Sequence, residues 1–527
     1  MQGRNRLKTL AVSAATLTFA ATSALAGGYI QTLGIGQKSS SLAGAVTATA
    51  DDFDAFYTNP AGAANFDTPL IGGALKVVSS LPYEFEDGAG NKVIDTLQGQ
   101  SVGLLPANGA YLPLIPGSVV AGFGIGAPFA LSVDFKDQPF GQIRANEDAA
   151  DFELIYVEAS PLIAVRVTDW LNIGAAINFG VAKHFKQTIR FDDMAGLGIA
   201  GSFYLQTDDD IPVPMAPWGF STDPSAITFT LGAQAQLAPT LKFGITYREE
   251  TPNKFEGQVR LFTQVPLLLG RTSLSACVGP PEQAGVCDLN FGIDRFRVEM
   301  ELPRHLQFGF AWQALPNWEL SFDAQWTNWS AAKGFGSPLI QNFTQSQSVD
   351  PLTNFTVGVG GSLNVLSLLP VTRGQIPRGI DRTFIDFEAK DAWSFMVGSK
   401  FDLNDTWSFL SGYQYDQQLA EKHYVADPTK HYITGGIELT MPTERGEWTF
   451  DLGGQLVLYE DDVIPVGQST TLGGLGPNAS LGGFSDGPNP GNNAITPTNA
   501  VGAGINEDRF EIGGYIWTVG GSATLRM

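Results

Sequence analysis

The stretch from Leu171 to Val181, LNIGAAINFGV, places an apolar residue at every second position. The positions between them hold only Asn, Gly and Ala. Successive side chains of a β-strand point to opposite faces, so a period of two predicts a strand with one apolar face and one small or polar face. The alternation recurs in Leu241–Arg248, Leu306–Trp312, Leu320–Thr327 and Trp448–Leu458. The chain is therefore predicted to be all-β.

Fourteen strands can be placed in this way, at approximate spans 70–84, 100–114, 117–135, 151–167, 170–191, 225–237, 240–261, 293–314, 317–333, 385–403, 405–418, 429–442, 446–460 and 508–526. The connections after the even-numbered strands, up to the twelfth, are tight, and the others are longer. Short turns on one side and long loops on the other are typical of a bacterial outer-membrane barrel. We predict a 14-stranded antiparallel transmembrane β-barrel, with long outer loops at 334–384 and 461–507 to which the sequence assigns no role.

The amino-acid composition agrees with the wall of a transmembrane β-barrel. Of 527 residues, 43% are hydrophobic and only 16% are charged. A strand that faces lipid on one side and the lumen on the other averages to this intermediate polarity. The net charge of −22 argues against nucleic acid as a partner, because phosphates need Lys and Arg. Indoles beside the short turns predict an aromatic girdle at the inner membrane interface: Trp170, Trp318, Trp407 and Trp448.

The N-terminus predicts export. Arg4, Arg6 and Lys8 precede a short apolar run from Leu10 to Ala20, and Ala24–Ala26 has the small-x-small pattern of a cleavage site. This is the pattern of a secretory signal peptide, and the run is short for the alternative, an uncleaved anchor. Export together with a barrel predicts the outer membrane of a Gram-negative bacterium.

The segment after the signal peptide differs from the strands. Residues 27–68 are rich in Ala, Gly and Ser, too small to form a core of their own and too apolar for a simple tail. We predict that they form a hatch, a plug packed inside the barrel. The chain then divides into a signal peptide (1–26), the hatch (27–68) and the barrel with its outer loops (69–527).

The hatch carries a family resemblance. Its Ser-rich start, its Ala and Gly repeats, Asp51–Asp52 and the Asn59, Pro60, Ala61 motif resemble the N-terminal hatch of the FadL-type (OmpP1) long-chain fatty acid transporters of the outer membrane. Further similar stretches are Leu241–Gly257, Leu302–Trp329 and Lys390–Tyr413, so the resemblance spans the mature chain. It implies passive diffusion of hydrophobic molecules, with long-chain fatty acids as the first expected cargo.

The third predicted strand is the candidate for a lateral opening. Pro128 has no N–H for the strand ladder, and Gly122, Gly124 and Gly126 favour a bulge or kink. In the family that the chain resembles, a kink in this strand opens the wall sideways. The alternative is a bend with no role in transport.

The resemblance also implies ligand sites. Arg190 and Lys390 lie where that family has basic residues near the bound head group, and either can pair with a carboxylate. The alternative for each is a salt bridge in the lumen wall. Asp51, Asp52 and Asp54 are candidates to clamp the hatch to Arg or Lys of the lumen.

An apolar outer loop, 194–218, must pack on something or bind something. Its candidate capture residues are Phe203, Leu205, Met215 and Trp218. Packing against neighbouring loops is the alternative. In a second loop, Cys277 and Cys287 predict a disulfide, since the exported chain meets an oxidising compartment.

No metal site, cofactor motif or nucleophile motif is recognisable, so we expect a transporter and not an enzyme. The expected partners are a hydrophobic ligand, outer-membrane lipid and lipopolysaccharide, with no nucleic acid, around a monomer. Three alternatives stay open. They are a channel for an aromatic hydrocarbon or an alkane instead of a fatty acid, an outer-membrane lipase, and an adhesin whose loops bind a surface.

Overall fold

A computed structural model describes the backbone at residues 34–79, 84–86, 92–95, 102–134, 150–192, 202–209, 227–266, 286–331, 356–357, 361–362, 390–418, 429–444, 446–465 and 509–527. The predicted signal peptide lies outside these ranges, so its cleavage stays a prediction. Most of the loops 334–384 and 461–507 also lie outside these ranges.

Helices are short. Helix α1 spans Gln37–Ser41 and helix α2 spans Ala55–Thr58. A 3-10 helix follows at Pro60–Asn65, and another lies at Trp329–Ala331. None of the helices in the described ranges has the length and apolar character needed to cross a membrane.

Strands make up the rest of the described chain. In order they are β1 Leu70–Ser79, β2 Glu84–Glu86, β3 Lys92–Asp95, β4 Val102–Ile115, β5 Val119–Asp134, β6 Ala150–Thr168, β7 Leu171–Asp192, β8 Ser202–Asp209, β9 Ile227–Ala238, β10 Leu241–Arg248, β11 Thr251–Pro266, β12 Val286–Leu302, β13 His305–Leu315, β14 Trp318–Thr327, β15 Thr356–Val357, β16 Gly361–Ser362, β17 Ala392–Asp402, β18 Trp407–Asp416, β19 Lys430–Thr443, β20 Gly446–Pro465 and β21 Arg509–Arg526.

Fourteen of these strands close into one antiparallel barrel, as the period of two predicted. The wall order is β1, β4, β5, β6, β7, β9, β10, β13, β14, β17, β18, β19, β20 and β21. The last strand returns to the first, with Leu70 opposite Arg526 and Val78 opposite Thr518. On its other edge β1 pairs with β4, where Leu70 faces Tyr111. Closure leaves no edge strand for lipid to meet.

Three further strands extend the wall beyond the barrel rim. The far end of β7 pairs with β8, β8 pairs with β11, and β11 pairs with β12. The predicted strands 240–261 and 293–314 are therefore each two strands. The break falls at Glu249–Glu250 and at Pro303–Arg304. Across it β10 pairs with β13 and β11 with β12 in the same register, and the partner changes on the other edge, where β10 pairs with β9 and β11 with β8. Arg304 joins the two breaks by an ion pair with Glu250.

The wall is apolar outside and polar inside. In β14, Phe322 is 47% exposed, whereas Ser321 and Asp323 on either side of it are 4% and 5% exposed. A soluble β-protein shows the reverse, so the outer face of this barrel is built for lipid. Trp170 and Trp407 are exposed beside short turns, at the positions predicted for an aromatic girdle.

The hatch fills the lumen. Its described part, 34–68, packs an apolar cluster against the inside of the wall, with Phe53 and Phe56 on the hatch and Tyr111 and Leu162 on the wall. The limits of the hatch at 27 and 68 stay a prediction, because residues 27–33 lie outside the described ranges.

Candidate functional site at the hatch and the wall

Glycines let the hatch approach the wall at backbone distance. At many wall strands a Cβ would come within 3.0 Å of a hatch atom, as at Gly72, Gly109, Gly124, Gly174, Gly232, Gly244, Gly412, Gly436, Gly453 and Gly520. Glycine is the residue that permits such close approach. This use of the abundant glycines was missed in the sequence, although their placement on the small faces of the strands was a signal for it.

The Asn59, Pro60, Ala61 motif anchors the hatch. The Asn59 side chain accepts a hydrogen bond from the Ala61 N–H at 3.1 Å and donates to the Thr47 carbonyl at 2.8 Å. It also donates to the carbonyl of Ala233 on β9, at 3.2 Å. Pro60 occupies the first turn of the 3-10 helix, where its missing N–H costs nothing. The motif thus both caps a helix and ties the hatch to the wall.

The wall is irregular at β5. Pairing between β4 and β5 ends at Asn108 and Ile125, and the rest of β5 pairs with β6 alone. On the β6 edge the register shifts between Gly126 and Phe129, so two residues of β5 oppose one of β6. This is a β-bulge at Ala127 and Pro128, within the strand predicted to open.

The three glycines of this strand keep regular register, and they have another use. A side chain at Gly124 would overlap the Phe56 ring of the hatch, and one at Gly122 would overlap Tyr111. Gly126 lies against Ile35. Only the proline therefore coincides with the bulge, while the glycines make room for the hatch and for a neighbouring wall residue. We call β4, β5 and β6 the bulge side.

The opposite part of the wall holds the hatch by charge. Lys38 of α1 lies 2.9 Å from Asp51 of the hatch and 3.4 Å from Glu438 of β19. Glu438 also pairs with Lys400 at 2.6 Å. Burial alone would lower the pKa of Lys38, but Asp51, Glu438 and Asp52 outweigh it and hold that pKa well above its usual value. We call β17 to β21 the clamp side.

The hatch acids lie in different surroundings from those expected. Asp51 pairs with the hatch's own Lys38, and Asp52 accepts a hydrogen bond from Thr524 of β21 at 2.7 Å. Asp54 accepts from the Gly36 N–H and the Ser39 hydroxyl, both within the hatch. Among the described ion pairs, a hatch lysine meets a wall acid, Lys38 with Glu438, and a hatch acid meets a wall arginine, Asp67 with Arg166 of β6 at 3.6 Å. Burial, together with repulsion from Asp52, raises the pKa of Asp54 to about 6.

A cavity of about 110 Å³ lies between the hatch and strands β13 to β20. Its wall residues include the strand ends farthest from the short turns, such as His305, Thr327 and Lys430, so it is on the outer side of the hatch. Five amide side chains line it: Gln307, Gln325, Gln414, Gln417 and Gln455. Apolar side chains such as Val46, Trp329 and Met396 line the rest, so the cavity is mixed in character.

The other predicted site residues are only partly placed. Arg190 lies on β7 and pairs in register with Tyr204 of β8, but its side chain is outside the described part. Lys390 is exposed just before β17. Phe203 and Leu205 lie on strand β8 and not in an irregular loop.

The remaining predicted residues fall at or beyond the limits of the described chain. Cys287 lies near the start of β12, and Met215, Trp218 and Cys277 lie outside the described residues. The disulfide, the capture surface and the head-group contacts stay predictions. No cluster of three or more possible metal ligands occurs within the described ranges.

A closed, plugged barrel with a lipid-facing surface defines a class, the outer-membrane channels with an internal hatch. The sequence matches the family of outer membrane transport proteins described as OMPP1/FadL/TodX over residues 17–426, and the chain belongs to that family. It is an outer-membrane protein. No curated protein sequence matches the chain.

Solved structures agree on the fold. A FadL homologue of Pseudomonas aeruginosa is 12% identical with a TM-score of 0.59, covering 95% of this chain and 100% of that one. The toluene transporter TodX of P. putida is 14% identical with a TM-score of 0.57, covering 94% and 99%. The CymD monoaromatic hydrocarbon channel is 14% identical with a TM-score of 0.52, covering 94% and 98%.

Proposed function

We propose that this barrel carries hydrophobic molecules across the outer leaflet by passive diffusion and releases them sideways through the wall at the bulge side. One observation carries the proposal: β5 loses its β4 partner beyond Ile125 and bulges at Ala127 and Pro128. A wall segment paired on one edge only is where a barrel can part without breaking a second ladder. A plugged lumen blocks the direct route, so a sideways route is the one left to an apolar solute.

The surroundings of the bulge suit an apolar solute. Phe129 of β5 and Tyr156 of β6 are buried there with ring centres 6.3 Å apart, and Phe56 and Ile35 of the hatch pack beside them. Contact with these side chains costs an apolar molecule no hydrogen bond. The molecule then enters the bilayer core, which favours it by burial of its apolar area.

The first expected cargo is a long-chain fatty acid, captured by the apolar segment around Phe203 and Leu205 with Met215 and Trp218. Arg190 and Lys390 are the proposed partners of its carboxylate. The second candidate is a monoaromatic hydrocarbon, favoured by the likeness to TodX and CymD, whose names state such cargo. Competition between oleate and toluene for uptake separates the two.

The lateral route is tested by removing the bulge. Deletion of Ala127 combined with Pro128→Val leaves one β5 residue opposite Val157 and restores regular pairing. Uptake into proteoliposomes should fall to background, while the barrel still assembles. Pro442→Val is the matched control, since it changes a wall proline of β19 that is in regular register with Glu447, and it should keep uptake. Unchanged uptake in the straightened variant would refute the lateral route.

A further inference from the structure

A buried ion pair crosses the lumen at the level of the bulge. Glu158 of β6 pairs with Arg248 of β10, and their side chains are 0% and 1% exposed. The two strands are not neighbours, because β7 and β9 lie between them in the wall. The pair therefore links distant parts of the barrel through its interior.

Glu158 sits where β6 is irregular on both edges. Toward β5 the register shifts between Gly126 and Phe129, and Gly126 is the residue opposite Glu158. Toward β7 the register shifts between Val157 and Glu158. Bulges on both edges leave this part of β6 less tied by its ladders. The side chain of Glu158 is thus well placed to fix a segment that its own ladders hold weakly.

Arg248 also meets the hatch. Its guanidinium carbon lies 5.4 Å from the centre of the Tyr57 ring, within range of a cation–π contact. Tyr57 follows Phe56 in α2, and the Phe56 ring lies over Gly124 of β5. Helix α2 therefore contacts the bulging strand through one residue and the ion pair through the next.

The pair is not arranged for stability alone. Oε1 of Glu158 and Nη1 of Arg248 are both buried without a hydrogen-bond partner in the described part of the chain. Buried ion pairs commonly contribute less than the apolar residues that would fill the same volume, and an incompletely bonded pair contributes less still. A role in positioning neighbouring segments explains why the charged side chains of Glu158 and Arg248 are buried at this place.

We infer that Glu158 and Arg248 are positioning residues for the lateral route: the pair sets β6 and hatch helix α2 at a fixed distance from each other and so determines whether the gap beside the bulge admits a hydrophobic molecule. The inference rests on the proposed function. Neither residue needs to touch the cargo, since each acts through the segment that it holds.

The test uses the full-length barrel in proteoliposomes and the variants Glu158→Gln, Arg248→Met and the exchange E158R/R248E. Uptake of labelled oleate and toluene is measured as a function of concentration. Each single variant should lower the maximal rate about tenfold and move the half-saturating concentration less than about threefold, the size expected for a coupled pair. The exchange should recover most of the lost rate. The control is Arg304→Gln with Glu250→Gln, a more exposed pair at the rim, which should leave uptake unchanged.

Hydrogen exchange at residues 55–58 is the second readout. It should rise in both single variants and return toward the parent level in the exchange variant. Tyr57→Leu should lower uptake and raise hydrogen exchange as the single variants do, and Tyr57→Phe, which keeps the ring, should not. If the single variants fail to assemble, these two Tyr57 variants decide the question. Assembled single variants with parental uptake and parental exchange would overturn the inference. If the parent barrel shows no uptake, the proposed function is refuted. The positioning role of Glu158 and Arg248 is then decided by hydrogen exchange alone.

Discussion

The bulge side and the clamp side hold the same hatch by different forces. On β4 to β6 the buried contacts are mainly apolar, with Phe53 and Phe56 packed on wall glycines and on Tyr111, while Arg166 of β6 meets the exposed Asp67 of the hatch. On β17 to β21 they are ionic, with Lys38 between Asp51 and Glu438. Apolar contacts can be remade around an apolar solute, whereas an ion pair fixes one geometry and leaves a buried charge when broken.

The difference shows how one plug serves two tasks. The clamp side keeps the hatch in the barrel, and the bulge side leaves a surface along which hydrophobic molecules can move. Register is regular where β17, β18, β19 and β20 pair with one another. It shifts once between β20 and β21, at Tyr459 and Asp462, and once between β5 and β6, at Gly126 and Phe129.

Lys38→Met should loosen the clamp side most, because it leaves Glu438 and Asp51 without their shared cation. Docking of the hatch should weaken by about 3 kcal/mol, the lower end of the range for breaking a buried pair, because Asp51 is half exposed and Glu438 keeps Lys400. Hydrogen exchange of residues 34–66 measures this loss of docking free energy. Lys242→Met is the control, since Lys242 is half exposed and lies 3.8 Å from Glu319. Equal hydrogen exchange of the hatch in Lys38→Met and Lys242→Met would contradict the conclusion that the clamp side holds the hatch by charge.

Asp54 should make hatch docking depend on pH. Its pKa is raised from 3.8 to about 6 in the docked hatch, so docking favours the protonated acid. The stabilisation is complete below pH about 4 and is lost as the pH rises through about 6, a difference of roughly 3 kcal/mol. Hydrogen exchange of the hatch between pH 4 and pH 7 checks the sign, and Asp54→Asn should flatten the dependence. A steeper profile in that variant would contradict the assignment.

Gly436→Ala should destabilise the clamp side by about 1–3 kcal/mol, because its Cβ would overlap the Ser41 side chain. Gly435→Ala is the adjacent control, with the Leu410 carbonyl 3.8 Å away as the nearest atom. Gly124→Ala makes the same change on the bulge side, against Phe56. We expect Gly124→Ala to change uptake as well as hatch exchange, and Gly436→Ala to change hatch exchange alone. If uptake follows Gly436→Ala instead, the route has been placed on the wrong side.

Tyr111→Phe should have the smallest effect, about 1 kcal/mol of hatch docking. The Tyr111 hydroxyl donates to the Phe53 carbonyl at 2.7 Å and accepts from the Phe56 N–H at 3.0 Å. Tyr413→Phe is the control, since that hydroxyl contacts His431 on the exposed face. A loss as large as that of Lys38→Met would show that the bulge side, too, holds the hatch by polar contacts.

Local pattern predicted the wall well. The alternation of apolar residues predicted all fourteen barrel strands. The alternation of short and long connections between them predicted an outer-membrane barrel. The local pattern missed the breaks at Glu249–Glu250 and Pro303–Arg304, because the two long segments stay in one register with each other and only the partner on the other edge changes, from β9 to β8. The irregularity at Pro128 could be expected because proline lacks an N–H in any context, and its role in transport stays a prediction.

The Glu158–Arg248 pair and the Lys38 clamp could not be found in the same way. Glu158 and Arg248 are 90 positions apart in sequence, and Lys38 and Glu438 belong to the two ends of the chain. Each residue alone looks like one more lumen charge. The pairing depends on which strands are neighbours in the closed barrel and on where the hatch lies within it.

The sequence by itself determined the class of the molecule: a period of two makes half of every strand face lipid, and that property is local to each strand. The tertiary structure alone decided where the wall loses a pairing, which glycines admit the hatch and which charges meet across the lumen. Those features arise from contacts between residues far apart in the chain, and a local pattern carries no information about which of them come together.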